Sequence, residues 1–147
     1  SVFAANQIEY DELRAYNFRV GQYLGGGYKV RDDKQGLLRF RIGAGATREL
    51  GYADDNAPDM WVPEGVLGFD LRYRFDSKNA VVSIFDYYPR LDQWGQFRVR
   101  ARVAYEWVID PNTGTVIRLG VQERYDSNPG DALRNDLTYF ATFGINF

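Results

Sequence analysis

Few side chains in this sequence could perform chemistry, because histidine and cysteine are both absent. Imidazole bases, thiolate nucleophiles, disulfides and thiolate metal sites are therefore excluded. Asp70 and Glu106 are a conceivable carboxylate pair for acid–base catalysis, but nearby arginines would keep both ionised and favour ion pairs. Ser127 lacks a base to activate it. We therefore expect no enzymatic activity, no cofactor and no metal site.

Three consecutive glycines, Gly25 to Gly27, look superficially like a phosphate-binding loop. They lie within a strand pattern that no helix follows, so close packing or a bend is the better interpretation. The formal net charge is only -2 and the charges are spread along the chain. The sequence therefore gives no reason to expect nucleic acid as a partner.

Apolar residues at every second position, the period of a β-strand, predict the elements that hold these side chains. Between Phe97 and Trp107, apolar residues on one face alternate with Arg98, Arg100 and Arg102 on the other. Helical periodicity is not convincing anywhere, and no run of 18 apolar residues could form a membrane-spanning helix. The sequence therefore predicts an all-β chain.

Eight strands are predicted along the 147 residues, a length that fits one domain over residues 1–147. The predicted strands lie near residues 2–10, 16–30, 38–47, 67–75, 80–88, 97–107, 117–122 and 137–147.

The connections between these strands alternate in length. Short links rich in Asp, Asn, Gly, Ser or Pro lie at residues 31–36, 76–79 and 110–114. The intervening links, two of them long, lie at residues 51–61, 89–93 and 126–136. Short turns at one end and longer loops at the other are typical of an antiparallel up-and-down transmembrane β-barrel of the bacterial outer membrane.

The alternating faces have two interpretations. In a soluble barrel the apolar row points inward, whereas in a membrane barrel it meets lipid. The polar row combines arginines with glycines, and aromatic residues lie near the strand ends of the apolar row, which favours the membrane barrel. Glu9 and Glu49 share the parity of the arginines and are their natural partners. The residues predicted to face the barrel interior, as a salt-bridge lattice or a pore lining, are Arg19, Arg39, Arg41, Asp70, Arg72, Arg74, Arg98, Arg100, Arg102, Glu106, Arg118 and Arg124.

Short motifs also follow one another in a characteristic order. They are Glu9 to Arg14, Gly25 to Tyr28, Gly43 to Gly45 with Arg48 and Glu49, Glu64-Gly65 before Gly68 to Asp70, Tyr88-Pro89, Arg124 to Pro129, and Asn135 to Tyr139 before the terminal Phe147. In order and spacing they cover nearly the whole chain and resemble the YdiY-like family of salt-induced outer-membrane proteins, domain of unknown function 481. The resemblance implies an outer-membrane β-barrel of a Gram-negative-type cell without established enzyme activity.

The resemblance also concerns whether the sequence contains a complete barrel, because family members usually carry further strands before the matched region. It implies the C-terminal part of a larger barrel, as a trimmed product or an incompletely defined sequence, or else a short relative that closes with eight strands. If strands precede it, the strand at residues 2–10 has an edge that other protein subunits could cover.

Three hypotheses for function remain. The first is a structural or interaction protein, anchored in outer-membrane lipid by its barrel and acting through the loops at residues 51–61 and 126–136. The second is a narrow anion-favouring pore or small-solute channel with an arginine-rich lumen. The third is a soluble lipocalin-like ligand carrier that holds an apolar molecule inside.

Overall fold

The computed structural model describes residues 2–10, 18–50, 60–110, 112–128 and 134–145. Within these ranges the chain forms β-strands joined by turns, and no helix is present. The strands are β1 (Val2–Tyr10), β2 (Phe18–Asp32), β3 (Gly36–Leu50), β4 (Val62–Arg74), β5 (Asn79–Pro89), β6 (Phe97–Asp110), β7 (Thr115–Asp126) and β8 (Asn135–Ile145).

All eight strands belong to one sheet, in which each strand pairs antiparallel with its neighbours in the chain. The predicted all-β, up-and-down architecture is therefore confirmed. No helix in the described part of the chain is long and apolar enough to cross a membrane.

The short links are tight turns held by aspartates. Asp33 Oδ1 accepts hydrogen bonds from the backbone N–H groups of Gln35 and Gly36, both at 2.9 Å. Asp76 Oδ1 accepts from the N–H groups of Lys78 and Asn79 at 2.7 and 2.8 Å. Such side-chain to backbone bonds close a chain reversal locally, which explains why these links need so few residues.

Strand β4 begins five positions earlier than the alternation predicted. Val62 to Val66 precede the predicted start at Leu67, and this extension pairs with the second half of β3. Pro63 interrupts the sequence pattern, since it cannot donate to a ladder. Its carbonyl nevertheless accepts from Leu91 N–H at 2.9 Å, so the neighbouring link is held against the sheet here.

The sheet curls strongly toward one face. Arg19 on β2 and Asp126 on β7 approach to 3.6 Å, although four strands separate β2 from β7 in the sheet. Side chains so far apart in strand order meet only if the sheet bends around them. We call the inner side, which carries Arg19, the concave face and the opposite side the convex face. Within the described residues β1 and β8 do not pair, so the sheet is curved but open.

Candidate functional site

The concave face carries a network of buried charges, and its centre is Glu64 on β4. Glu64 is 3% exposed, and its Oε2 accepts from the Tyr23 hydroxyl on β2 at 2.7 Å. Its Oε1 accepts from Arg98 Nε on β6 at 3.1 Å. The Arg98 guanidinium also lies 5.1 Å from the centre of the Tyr88 ring. Side chains from β2, β4, β5 and β6 thus meet across the concave face, as a buried charge requires.

A second cluster joins β3, β4 and β5. Arg41 Nη2 lies 2.8 Å from both Asp70 Oδ1 and Asp86 Oδ1. Arg39 Nε donates to Asp70 Oδ2 at 2.7 Å. The pairs along this part of the concave face therefore alternate in sign, which offsets the cost of burying each charge.

A third cluster has Glu106 on β6 at its centre. Glu106 is only 2% exposed and is flanked by arginines on both sides. Arg72 donates to its Oε1, and Arg118 Nε donates to its Oε2 at 2.7 Å. Asp70 and Glu106 consequently have separate arginine partners.

Three more of the predicted interior arginines, Arg19, Arg100 and Arg102, lie on the concave side. Arg19 donates from Nε to Glu49 Oε1 at 2.9 Å and is 7% exposed. With its amide oxygen turned toward β6, Gln7 accepts from Arg100 Nη2 at 2.5 Å. Arg102 lies 4.2 Å from the centre of the Phe140 ring on β8.

Two predicted interior arginines have other surroundings. Arg124 lines a small cavity beside Arg19, Arg98 and Arg100. Arg74, at the end of β4, is exposed and lies at the rim of the concave face. The side chain of Glu9, a predicted partner of the arginines, lies outside the described residues.

Little empty space remains at the level of the Glu64 network. The cavity lined by Arg19, Tyr88, Arg98 and Arg100 measures about 20 Å³. That volume is sufficient for about one water molecule. Tyr23, Val66 and Tyr88 form the buried apolar cluster at this level. The space between the facing strands is therefore filled by side chains here.

Sequence reasoning did not include Tyr23, Glu64, Asp86 or Asp126 among the interior residues. All four are buried on the concave face, with exposed fractions of 3 to 7%. The signal that could have found Glu64 is parity, because it lies an even number of positions before Asp70 on the same strand. Asp86 has no such clear signal, since the neighbouring concave residues Val82 and Ile84 are apolar.

Two other motifs have structural explanations. A Cβ atom on Gly25 would lie 2.3 Å from the Ile42 carbonyl oxygen and 2.6 Å from the Phe3 ring. The close packing predicted for this glycine is therefore confirmed. The Ser127 hydroxyl accepts from Phe97 N–H at 2.7 Å, which ties the loop ends of β6 and β7 together.

The entire chain, residues 1–147, matches the family described as "Protein of unknown function, DUF481". The chain belongs to the DUF481 family. The resemblance found in the sequence motifs is thus confirmed. No curated protein and no solved structure matches the chain.

The convex face of this DUF481 protein is apolar and exposed. Ile42 is 65% exposed and Leu119 is 55% exposed, and both lie in the middle of their strands. Aromatic rings stack along this face, with 5.5 Å between the centres of Phe69 and Phe85 and 5.6 Å between those of Phe97 and Tyr125. The convex face therefore exposes many large apolar side chains.

Proposed function

We propose that this DUF481 protein is an outer-membrane β-barrel with a structural or interaction role and no catalytic activity. One observation carries the proposal: the charges are buried on the concave face while large apolar residues cover the convex face. A water-soluble β-barrel has the opposite arrangement, with an apolar interior and a polar surface. In a bilayer the observed arrangement is the stable one, because hydrocarbon solvates the convex face.

Aromatic residues near both ends of the strands support the same proposal. At the loop end, Phe97 lies between Tyr87 and Tyr125, with ring centres 5.4 and 5.6 Å apart. At the turn end, Tyr73 and Phe75 contact each other at 5.2 Å. Two such levels of aromatic side chains match the girdles that membrane barrels place at the two lipid–water interfaces.

The filled interior favours an anchor over a pore. The contacts among Tyr23, Glu64 and Arg98 span the concave face from β2 to β6. A barrel of about eight strands has an interior just wide enough for side chains. A narrow anion-favouring channel would need space that this level of the interior does not offer, so we propose that the exposed loops carry the interaction. Residues 51–59 and 129–133 of those loops lie outside the described residues.

The proposal also requires that the sheet edges be covered. Within the described residues β1 pairs only with β2, and β8 only with β7. Backbone groups cannot remain without hydrogen bonds in hydrocarbon, so membrane sheets close. We propose that the free edge of β1 is covered by a protein strand, which is β8, a strand that precedes β1 in a longer chain, or a strand of another subunit. The oligomeric state in detergent and the hydrogen exchange of the β1 backbone amides distinguish these cases. A monomer whose β1 amides exchange slowly supports closure with β8, whereas an oligomer supports a subunit contact.

Refolding into lipid tests the proposed function. The chain is diluted from urea into phosphatidylcholine vesicles and, in parallel, into buffer alone. We expect flotation with the vesicles and a gel mobility that changes on boiling, as a closed barrel resists detergent unfolding. A folded, monodisperse protein in buffer that does not float with vesicles would contradict the proposal and favour a soluble carrier.

A further inference from the structure

An open cavity lies at the end of the concave face where the short turns meet. It measures about 660 Å³ and is bordered by the β2–β3 turn, the β4–β5 turn and the end of β6. We call this cavity the turn-side mouth. Its charged lining residues are Lys34, Arg72, Arg74, Asp76, Lys78 and Glu106. Four of these six side chains are cationic and two are anionic.

The two carboxylates of the turn-side mouth are already committed. Both oxygens of Glu106 accept hydrogen bonds, one from Arg72 and the other from Arg118. One negative charge therefore faces two guanidinium groups there. Asp76 is engaged in its turn, where it accepts from the backbone of Lys78 and from the backbone and side chain of Asn79. Asp76 still interacts electrostatically with Lys78, so the six charged side chains leave an excess of two positive charges in the mouth.

The other cations of the mouth form no ion pair with any carboxylate in the described ranges. Lys34, Arg74 and Lys78 are all exposed, so water solvates their charges in the absence of a ligand. The Nε atom of Arg72 is buried and has no hydrogen-bond partner among the described residues. Lys34, Arg74 and Lys78 therefore remain open to an incoming anion at the edge of the mouth.

Two neighbouring cations at the same end of the sheet, in contrast, form ion pairs with aspartates. Lys29 Nζ lies 2.5 Å from Asp32 Oδ2, and Arg31 Nε lies 2.6 Å from Asp33 Oδ2. These two cations do not line the turn-side mouth. The excess of positive charge is thus a property of the mouth and does not extend to the whole turn end of the molecule.

We propose that the turn-side mouth binds a small anion that carries two or more phosphate, sulfate or carboxylate groups. Arginine presents paired N–H donors that match the oxygens of such groups, and lysine adds a mobile point charge. At physiological ionic strength, charges separated by more than about 8 Å are largely screened. A multivalent anion overcomes this screening because each of its groups contacts a different cation. The proposal rests on the folded turn-side mouth and does not require membrane insertion.

Titration calorimetry with inorganic tripolyphosphate tests the site, with the folded chain in non-ionic maltoside micelles at about 0.15 M salt. We expect saturable binding that is tighter than that of inorganic phosphate. The variant with Lys34→Gln and Arg74→Gln should bind about tenfold more weakly, since each lost contact is worth up to about 0.7 kcal/mol. Both residues are exposed, so the substitutions should leave folding unchanged.

The matched control carries Lys29→Gln and Arg31→Gln, which removes the same charge from the same end of the sheet. It should change the affinity less than about twofold. The proposal would be overturned if the original chain did not bind tripolyphosphate. It would also be overturned if the two variants lost affinity equally, because that result indicates diffuse electrostatic attraction. Vesicle flotation of the same samples reports separately on the proposed membrane role.

Discussion

Arg98 on β6 and Glu64 on β4 face each other across the inside of the curved sheet, with Arg98 Nε 3.1 Å from Glu64 Oε1. Their side chains are 12% and 4% exposed, so water contributes little to either charge. The centre of this molecule is therefore an ion pair with a tyrosine hydroxyl beside it. The side chains that the curved sheet surrounds at this level are therefore polar and charged.

Replacement of Glu64 by glutamine should destabilise the folded state by about 3 kcal/mol, because removal of one partner leaves a buried charge uncompensated. The side chain keeps its size, so the loss reflects charge. Urea unfolding of the chain in vesicles, followed by tryptophan fluorescence, measures the change.

The matched control for this prediction is Asp32→Asn at the turn end of β2. Asp32 is exposed, so its ion pair with Lys29 contributes little and we expect a change below about 1 kcal/mol. If Glu64→Gln were as mild as this control, the Glu64 network would not hold the strands together.

A charge on the convex face should be poorly tolerated. Leu119→Arg places a guanidinium in the middle of β7, where we expect destabilisation of about 2 to 4 kcal/mol in vesicles if this position lies near the bilayer midplane. In water the same site is 55% exposed and arginine would be nearly neutral. Leu119→Ala controls for the lost side-chain volume, and an equal effect of both variants would argue against contact with lipid.

The strands themselves were predictable from the sequence, because a two-faced sheet imposes a period of two on every strand. The aspartates and asparagines of the short turns were equally informative, since their hydrogen bonds are local. The start of β4 was missed because Pro63 and Gly65 interrupt the alternation, although Pro63 still accepts a hydrogen bond.

Partner choice on the concave face could not be predicted in the same way. Arg98 and Glu64 lie on strands that are not neighbours, and only the curvature of the sheet brings them together. The odd or even position of a residue along its strand predicts which face its side chain lies on. It does not predict which other strand that side chain contacts. Asp86 was hidden by a second cause, because apolar residues occupy both faces of β5 near it.

Close approach of β2 and β3 should make Gly45 sensitive to substitution. A Cβ atom there would lie 2.0 Å from the Gln22 carbonyl oxygen and 2.8 Å from Tyr23 Cα. We expect Gly45→Ala to cost about 1 to 3 kcal/mol, as overpacking does elsewhere. Gly144→Ala is the control, since the nearest atom to its Cβ would be 4.0 Å away. Similar unfolding midpoints for the two variants would contradict the register of β2 and β3.

The turn aspartates should titrate at low pH. The hydrogen bond from the Asn79 side chain lowers the pKa of Asp76 from its usual 3.8, with further bonds from the backbone. Because the folded-state pKa is the lower one, this contribution to stability is fully present above the unfolded-state pKa. It is lost as the pH falls through the folded-state value. Carbon-detected NMR titration of the carboxyl groups measures the pKa of each aspartate in the folded protein.

Asn79→Ala should raise the pKa of Asp76 toward 3.8, because the first cause of its depression is removed. The pKa of Asp33 is lowered chiefly by its hydrogen bond with Arg31 in a different turn, and it should stay unchanged. An unaltered Asp76 titration in the variant would show that the Asn79 contact is not formed in solution.

The orientation of β6 in lipid tests the central claim most directly. Because the chain has no cysteine, single cysteines at consecutive positions from Arg100 to Tyr105 can each carry one spin label. In vesicles, we predict that collision with oxygen, which concentrates in hydrocarbon, is greatest at Ala101, Val103 and Tyr105. It should be low at the concave positions Arg100, Arg102 and Ala104. Collision with a water-soluble nickel complex is measured on the same labelled variants. A lipid-facing convex surface would be contradicted if nickel collision were greatest at Ala101, Val103 and Tyr105 and oxygen collision did not rise at every second position.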